Sequence, residues 1–200
     1  MYCLRGVTEN EPEEAGNDPT SKERPSFPYR LRRPSPADGP KVTALIRACP
    51  PLDVNSAYCN LLQCSHFAGT CVVAEREGGI EGWISGYIPP DSTDHFFVWQ
   101  VAVADTARGL GLGGRMLDHL LSRPAAKGVD TLITTITESN DASLALFSGF
   151  ARRRKATLHK QPYFERNTHF AGKHDTEWLI TIGPLASTAT DRPNAQPSEN

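Results

Sequence analysis

The sequence contains no apolar run approaching the ~18 residues that a membrane-spanning helix requires. Its first residues also lack the cationic and then apolar order of a secretory signal peptide. Acidic side chains in the same stretch are atypical of a transit peptide; these are Glu9, Glu11, Glu13 and Glu14. We therefore expect a cytoplasmic protein.

An excess of charge of one sign is absent as well, because 21 basic residues stand against 23 acidic ones and the formal net charge is -2. Nucleic-acid-binding domains usually show a basic excess, so the composition does not favour that class of partner. One basic run is present, Arg152–Lys155. We interpret it as a solvated strand edge rather than a site for polyanions.

Cysteine pairs with the spacing of a zinc site are also lacking, and the number of cysteines is odd. The five are Cys3, Cys49, Cys59, Cys64 and Cys71. We therefore predict no metal site. Cys59 and Cys64 lie in an apolar stretch, where thiols usually act as small hydrophobes. A catalytic cysteine is the alternative, and no neighbouring feature favours it.

The pattern of apolar residues predicts one domain, residues 28–185, between a disordered acidic extension at 1–27 and a disordered tail at 186–200. Within the domain, strands and helices are expected to alternate in a mixed α/β sheet with helices packed on its faces. Asp38 is the expected cap of the first helix, and Asp53 or Asn55 of the second. Strands are predicted at Tyr29–Arg33, Thr70–Glu75, Ile80–Tyr87, Phe96–Val103, Thr131–Thr137, Ala151–Leu158 and Trp178–Ile182, and helices at Lys41–Cys49, Ser56–His66, Gly113–Ser122 and Asp141–Ser148.

A glycine-rich turn, Arg108–Gly113, leads from the apolar strand that ends at Val103 into a helix. Glycines adopt positive φ without penalty, and the free N–H groups of the helix start favour an anion such as a diphosphate. The spacing differs from that of a dinucleotide-binding fold, and the Gly-Lys-Ser/Thr of a triphosphatase loop is absent. A tight turn without a ligand is the remaining alternative. Four glycines within six residues favour a binding site.

This turn, together with a second segment, resembles the GCN5-related N-acetyltransferases, the GNAT family. The second segment is the strand Thr131–Thr137 followed by Glu138-Ser139-Asn140 and a helix. The resemblance covers about residues 29–184 and implies a mixed central sheet of about seven strands, helices on both faces and splayed middle strands. It further implies acetyl-coenzyme A as cosubstrate. The cofactor-binding residues that it implies are Val101, Ala102, Val103, Arg108, Gly109, Leu110, Gly111, Leu112, Gly113 and Asn140.

Three more blocks resemble the branch of this family that acetylates the 4-amino group of L-2,4-diaminobutyrate in ectoine biosynthesis. They are Pro51–Cys59, Phe97–Val103 and His174–Leu179 with Ile182-Gly183-Pro184. The resemblance implies Asp53, Tyr58, Trp99, His174 and Glu177 as substrate-binding residues, and a homodimer. The alternatives are purely structural roles. They are a helix cap at Asp53, core aromatics at Tyr58 and Trp99, and an ordinary charged pair at His174 and Glu177. The sequence departs from this branch at Asp175-Thr176 and in the segment 161–170.

The expected reaction is direct attack of the neutral amine on the thioester, with proton removal by a carboxylate or histidine. Glu177, His174 and Asp53 are all candidate bases. Many members of the family carry a tyrosine acid where Phe147 stands. Tyr58 is therefore a candidate acid, and unassisted departure of the thiolate is the alternative. Two other functions stay open: acetylation of another small diamine or amino acid, and a coenzyme A-binding regulatory module without catalysis.

Overall fold

The structure, a computed structural model, describes residues 27–185 as a seven-stranded sheet with five helices. Most of the predicted extension and the whole predicted tail lie outside the described residues. Within them, no helix has both the length and the apolar character needed to cross a membrane. The strands are Arg30–Arg32 (β1), Val72–Arg76 (β2), Gly79–Tyr87 (β3), His95–Val103 (β4), Thr131–Thr137 (β5), Thr157–Phe164 (β6) and Glu177–Gly183 (β7). The helices are Gly39–Arg47 (α1), Ala57–Ser65 (α2), Leu112–Leu121 (α3), Asp141–Arg154 (α4) and Arg166–Phe170 (α5).

The order of strands across the sheet is β1-β2-β3-β4-β5-β7-β6. Every neighbouring pair is antiparallel except β4 and β5, which are parallel. This arrangement confirms the predicted mixed sheet of about seven strands. The predicted hairpin joins β2 to β3 through Glu77 and Gly78, which both have positive φ, at 52° and 78°. Two such residues match the right-handed twist of the flanking strands.

Helices cover both faces of the sheet. Adjacent residues of one strand point to opposite faces and therefore belong to different cores. On β3, Trp83 packs with α1 and α2, whereas Ile84 packs with α3 and α4. The first core includes Val42, Ile46, Cys64, Val73 and Trp83. The second includes Ile84, Leu112, Met116, Leu120, Phe147 and Phe150.

Strand β4 carries a β-bulge at Trp99 that exchanges its two faces. Ser85 pairs with Gln100 and Gly86 with Val98, so Trp99 is an extra residue on β4. Before the bulge Val98 points into the core beneath α3 and α4; after it Ala102 points into the opposite core. A bulge also increases the local twist and bends the strand. The second half of β4 is thereby turned away from its parallel neighbour.

The parallel pair β4–β5 comes apart after four residue pairs. The ladder runs from His95 with Thr131 to Val98 with Thr134, and the Thr134 hydroxyl donates to the Val98 carbonyl at 2.9 Å. Beyond Thr134, β5 pairs only with β7 among residues 27–185. The edge of β4 from Trp99 onward therefore faces an opening, which is the splay that the family resemblance implies.

The predicted strand Ala151–Leu158 is wrong in its first half, because α4 continues to Arg154. Phe147, Phe150 and Ala151 keep a helical spacing of buried residues, and the basic run places positive charge at the helix C-terminus, where the dipole favours it. Arg152–Lys155 is thus a helix end and not a strand edge. The helix ends at Lys155, which has a φ of 54°.

The predicted helix caps are corrected as well. Ser56, rather than Asp53 or Asn55, caps α2 by accepting a bond from the Cys59 N–H at 3.1 Å. Asp38 occupies the predicted N-cap position of α1, but among the described residues its side chain makes no cap bond to that helix. Its carboxylate instead accepts two hydrogen bonds of 2.8 Å from Arg32. This ion pair links β1 to the start of α1. The short helix α5 was not predicted.

Burial raises the pKa of two cysteine thiols in the core. Desolvation raises the pKa of Cys64 to about 11 and that of Cys71 to about 12. Both side chains are fully buried, so Cys64 is the small hydrophobe that the sequence predicts. Among residues 27–185, no group of three or more His, Cys, Asp or Glu side chains is arranged to hold a metal ion.

Candidate active site

The opening between β4 and β5 is a groove that crosses the sheet. It consists of two cavities of about 550 and 510 Å³. The first lies at the start of α3 and the second at the start of β7. The two cavities are adjacent and share five lining residues, which are Pro51, Leu52, Val101, Asn140 and Ser143. One elongated ligand could therefore reach from the glycine turn to the carboxylates beyond the splay.

The glycine turn is shaped for an anion at the first cavity. Gly109 and Gly111 have φ of 76° and 71°, a backbone conformation that L side chains rarely adopt, and the space beside each is open. Gly111 is the N-cap of α3, where no side chain satisfies the first N–H groups. These donors and the helix dipole fit a diphosphate such as that of coenzyme A.

Two arginines add positive charge to this cavity. Arg108 forms an ion pair with Asp105 at 3.1 Å and lines the cavity. Arg153 lines it from the last turn of α4, beside the start of α3. Arg153 was not predicted as a site residue, because the basic run was assigned to a strand. A prediction that α4 continues to residue 154 would have placed Arg153 on the helix beside the glycine turn.

Most of the predicted cofactor residues line the cavity, and two do not. The side chain of Ala102 is buried in the core beneath α1, which leaves only its backbone for binding. Leu110 is 52% exposed at the tip of the turn. Asn140 lines the groove, and its Oδ1 also accepts the Ser143 N–H at 3.1 Å as the cap of α4, whereas its role at the cofactor stays a prediction. The cavity is lined by Val101, Val103, Arg108, Gly109, Gly111, Leu112, Gly113 and Asn140.

The second cavity brings together four of the five predicted substrate residues. Asp53, Trp99, His174 and Glu177 all line it, although 124 positions separate the first from the last. Tyr58 does not line it and is 70% exposed on α2. Its roles in substrate binding and as an acid stay predictions.

Glu177 is the half-buried first residue of β7. Desolvation raises the pKa of its carboxyl group, and the negative charge of Asp53 raises it further. A hydrogen bond from Thr135 and the positive charge of His174 act in the opposite direction. A carboxylate with a raised pKa in a cleft is suited to accept a proton at neutral pH.

His174 lies three residues before Glu177 with its ring oriented toward it. Its Nδ1 is 2.8 Å from the Asp175 carbonyl, which can only accept, so Nδ1 carries the proton. In the neutral imidazole Nε2 is then the basic nitrogen, and it lies 4.0 Å from a Glu177 oxygen.

Gln100 holds the Asp53 segment against β4 and was missed as a site residue. Its Nε2 donates to the Asp53 carbonyl at 2.8 Å, and its Oε1 accepts from Asn55 at 3.2 Å. A buried amide is retained where its hydrogen bonds are satisfied. Gln100 is the one polar residue in the predicted strand Phe96–Val103, and this pattern could have indicated a role for its side chain.

Comparison with known proteins decides the family. The model of the acetyltransferase (GNAT) family matches residues 40–150. The chain is 44% identical to the L-2,4-diaminobutyric acid acetyltransferase of Vibrio cholerae over 85% of this chain and 98% of that protein. It is 46% identical to the protein of the same name from Methylotuvimicrobium alcaliphilum over 78% of this chain and 90% of the other. The chain belongs to the L-2,4-diaminobutyric acid acetyltransferases of the GNAT family.

A solved structure of the same family supports the fold of this acetyltransferase. The diaminobutyrate acetyltransferase of Paenibacillus lautus, in complex with its substrate L-2,4-diaminobutyric acid and coenzyme A, aligns with a TM-score of 0.75. The two are 39% identical, over 78% of this chain and 95% of the other. The predicted fold class and family are confirmed, whereas the roles of single residues stay predictions.

The acetyltransferase differs from many GNAT members at Phe147. This side chain is 2% exposed and lines the second cavity, on the helix that Asn140 caps. Phenylalanine has no proton to give. Departure of the thiolate therefore has no acid at this position.

Proposed function

We propose that this protein transfers the acetyl group of acetyl-coenzyme A to the 4-amino group of L-2,4-diaminobutyrate, the acetylation step of ectoine biosynthesis, in the cytoplasm. The observation that carries the proposal is the groove itself. One end offers free helix N–H groups and Arg153 to a diphosphate, and the other offers Asp53 and Glu177 to a cation. The opening between β4 and β5 at Val101 lies between the two ends of the groove.

The first step is removal of a proton from the reacting amine. An alkylammonium has a pKa of ~10 and is not nucleophilic until deprotonated. Glu177 accepts this proton, since desolvation raises its pKa and so makes it a stronger base than an exposed glutamate. Asp53 supplies the second negative charge that holds the cation, and Trp99 forms a wall of the same cavity.

In the second step the amine nitrogen attacks the thioester carbonyl, and the second proton of the nitrogen passes to solvent water. The C–N bond forms, the C–S bond breaks, and the electron pair leaves with sulfur. A thiol has a pKa of ~8.5, below that of the amine, so the thiolate can leave without the acid that Phe147 lacks. Backbone groups on the open edge of β4 near Val101 stabilise the oxyanion.

Competition among amines tests the substrate. Purified protein receives acetyl-coenzyme A with equal concentrations of 2,4-diaminobutyrate, ornithine, lysine and spermidine, and release of free thiol is followed. We expect the highest kcat/KM with diaminobutyrate, and acetylation on N4 by mass spectrometry. Preference for another amine would favour the alternative diamine or amino acid acetyltransferase. Cofactor binding without thiol release for any amine would favour a regulatory module.

We also propose that the protein is a homodimer that pairs through the face carrying α2 and the edge strand β6. Among residues 27–185, the large exposed apolar side chains on α2 and beside it are Val54, Tyr58, Leu61 and Phe67, and those of β6 are Tyr163 and Phe164. Phe67 and Phe164 line one cavity together with Trp99. Exposed apolar side chains that lie together are typical of an interaction surface. Light scattering after gel filtration should give twice the chain mass of 21.9 kDa. Tyr163→Lys should lower that mass, whereas Leu110→Lys, at an apolar side chain elsewhere, should not.

A further inference from the structure

The groove between β4 and β5 is narrowest where the two strands separate. Their last pair joins Val98 to Thr134, and from there the gap widens toward Val101 and the glycine turn. Val98 and Thr134 line the second cavity, although each is almost fully buried. The cavity therefore ends in a closed space at this point. We call it the narrow end of the groove.

Helix α4 lines the groove from the narrow end to the glycine turn. Most of the residues that it contributes to the first cavity are small; they are Ala142, Ser143, Ala145 and Gly149. One turn after Ser143, however, it contributes the ring of Phe147 to the second cavity. Phe147 belongs to the same core as Val98 and Ile136, and all three line this cavity. An aromatic wall thus closes the narrow end.

The shape of the thioester determines where its acyl chain points in the proposed reaction. The carbonyl carbon is planar, and its sulfur, oxygen and alkyl carbon take three different directions. The cofactor enters from the glycine turn, so the sulfur lies on the wide side of the gap, and the oxygen faces the open edge of β4 near Val101. The amine approaches this plane from the cavity that holds Glu177. The direction left for the alkyl carbon leads to the narrow end and Phe147.

We propose that Phe147 restricts the transferred acyl group to acetyl, because its ring fills the space that a longer chain needs. This assignment rests on the proposed acetylation of diaminobutyrate. A protein core is close-packed, so a nearly buried ring leaves little room beyond itself. One extra methylene in an apolar pocket changes kcat/KM about 10–200-fold. The wild type should therefore use propionyl-coenzyme A at least about tenfold less efficiently than acetyl-coenzyme A.

The experiment measures the acyl preference of Phe147→Leu at saturating diaminobutyrate, with acetyl-, propionyl- and butyryl-coenzyme A. Leucine is smaller than phenylalanine, and a large-to-small change in a core leaves part of the volume empty. The ratio of kcat/KM for propionyl to that for acetyl should rise about tenfold over the wild type. Calorimetry tests the same space without an amine. Propionyl-coenzyme A should bind the variant about tenfold more tightly than the wild type, whereas the Kd for free coenzyme A should stay within about twofold.

Phe150→Leu is the matched control. Phe150 is a fully buried phenylalanine of the same helix and core, and in the described part of the chain it lines neither cavity of the groove. Both variants should lower the Tm by a similar amount, but Phe150→Leu should keep the wild-type acyl preference.

Three results would overturn the role of Phe147. They are equal use of propionyl and acetyl groups by the wild type, an unchanged preference in Phe147→Leu, and an equal change of preference in Phe150→Leu. Wild-type protein that releases no thiol with diaminobutyrate would instead overturn the proposed function. The calorimetric comparison of propionyl-coenzyme A with free coenzyme A would then still test Phe147.

Discussion

At the scale of single residues, Gln100 links the strand to the substrate segment. Gln100→Leu leaves the Asp53 carbonyl and the Asn55 amide without their bonds of 2.8 and 3.2 Å. The segment should then lose its fixed position, and KM for diaminobutyrate should rise about tenfold, the equivalent of one or two hydrogen bonds. Acetyl-coenzyme A binding, measured by calorimetry, should change little. Gln161→Leu, on the exposed strand β6, should leave both constants unchanged.

Glu177 is expected to determine the acid limb of the pH–rate profile. Because the pKa of its carboxyl group is raised, kcat/KM should fall with decreasing pH at a higher pH than an ordinary glutamate would give. Glu177→Gln should lower kcat about 10²–10⁴-fold and remove that limb. An unchanged profile in the variant would assign the base to His174 or Asp53 instead.

The same glutamate should reduce the stability of the folded protein at neutral pH. Its folded pKa lies above its unfolded value, so the folded state favours the protonated carboxyl group. Stability is therefore greatest below the unfolded pKa and falls as pH rises through the folded pKa. Glu177→Gln should raise the Tm at pH 7 and leave it nearly unchanged at pH 4, which calorimetry at both pH values would measure.

At the scale of elements, the glycine turn at the start of α3 depends on positive φ. Gly111→Ala places a Cβ on a backbone with φ of 71°, at a cost of about 1–2 kcal/mol, and should weaken acetyl-coenzyme A binding as the turn shifts. Gly78→Ala is the matched control, because its φ is 78° in a hairpin away from the groove. Both variants should have a lower Tm than the wild type, but only Gly111→Ala should raise the Kd for acetyl-coenzyme A. Equal Kd values would contradict a role for this turn in binding.

The elements also show how far the sequence could predict the structure. Strand β4 and the helix after the glycine turn were predicted within one residue, because apolar spacing and glycines mark them. Helix α4 was ended six residues early, at Ser148 rather than Arg154. The helix continues through Gly149, because a glycine inside a helix costs only about 1 kcal/mol and burial of Phe150 outweighs that cost.

The candidate site was predicted in part for a similar reason. Asp53 and Glu177 come from segments that resemble the family, and the fold brings them into one cavity. The hydrogen bonds between Gln100 and the Asp53 segment could not be predicted, since the residues that they join are 45 and 47 positions apart. These contacts depend on the fold, and a single sequence does not contain them.

At the scale of the whole molecule, the sheet consists of two halves joined by the four residue pairs of β4 and β5. A ligand in the gap would contact both halves, so acetyl-coenzyme A should raise the Tm; at 100 times its Kd the gain is about 2.7 kcal/mol. Thr134→Val removes the bond to the Val98 carbonyl and should cost about 1 kcal/mol. Hydrogen exchange should slow on binding at residues 99–103 and 135–137. Protection confined to the helices would contradict binding in the gap.

The extra residue at Trp99 has a consequence for how the gene tolerates change. Because one inserted position exchanges the faces of β4, the side chains that tolerate polar replacement should change phase there, with Phe96 and Val98 intolerant on one side of it and Ala102 on the other. A codon deletion at this point would remove the extra residue and restore strict alternation, so that Gln100, Val101 and Ala102 would keep their partners on β3 and their helix layers. In a library of single-codon deletions, residue 99 should therefore be better tolerated than the other positions of β4, where a deletion exchanges the faces of the residues beside it.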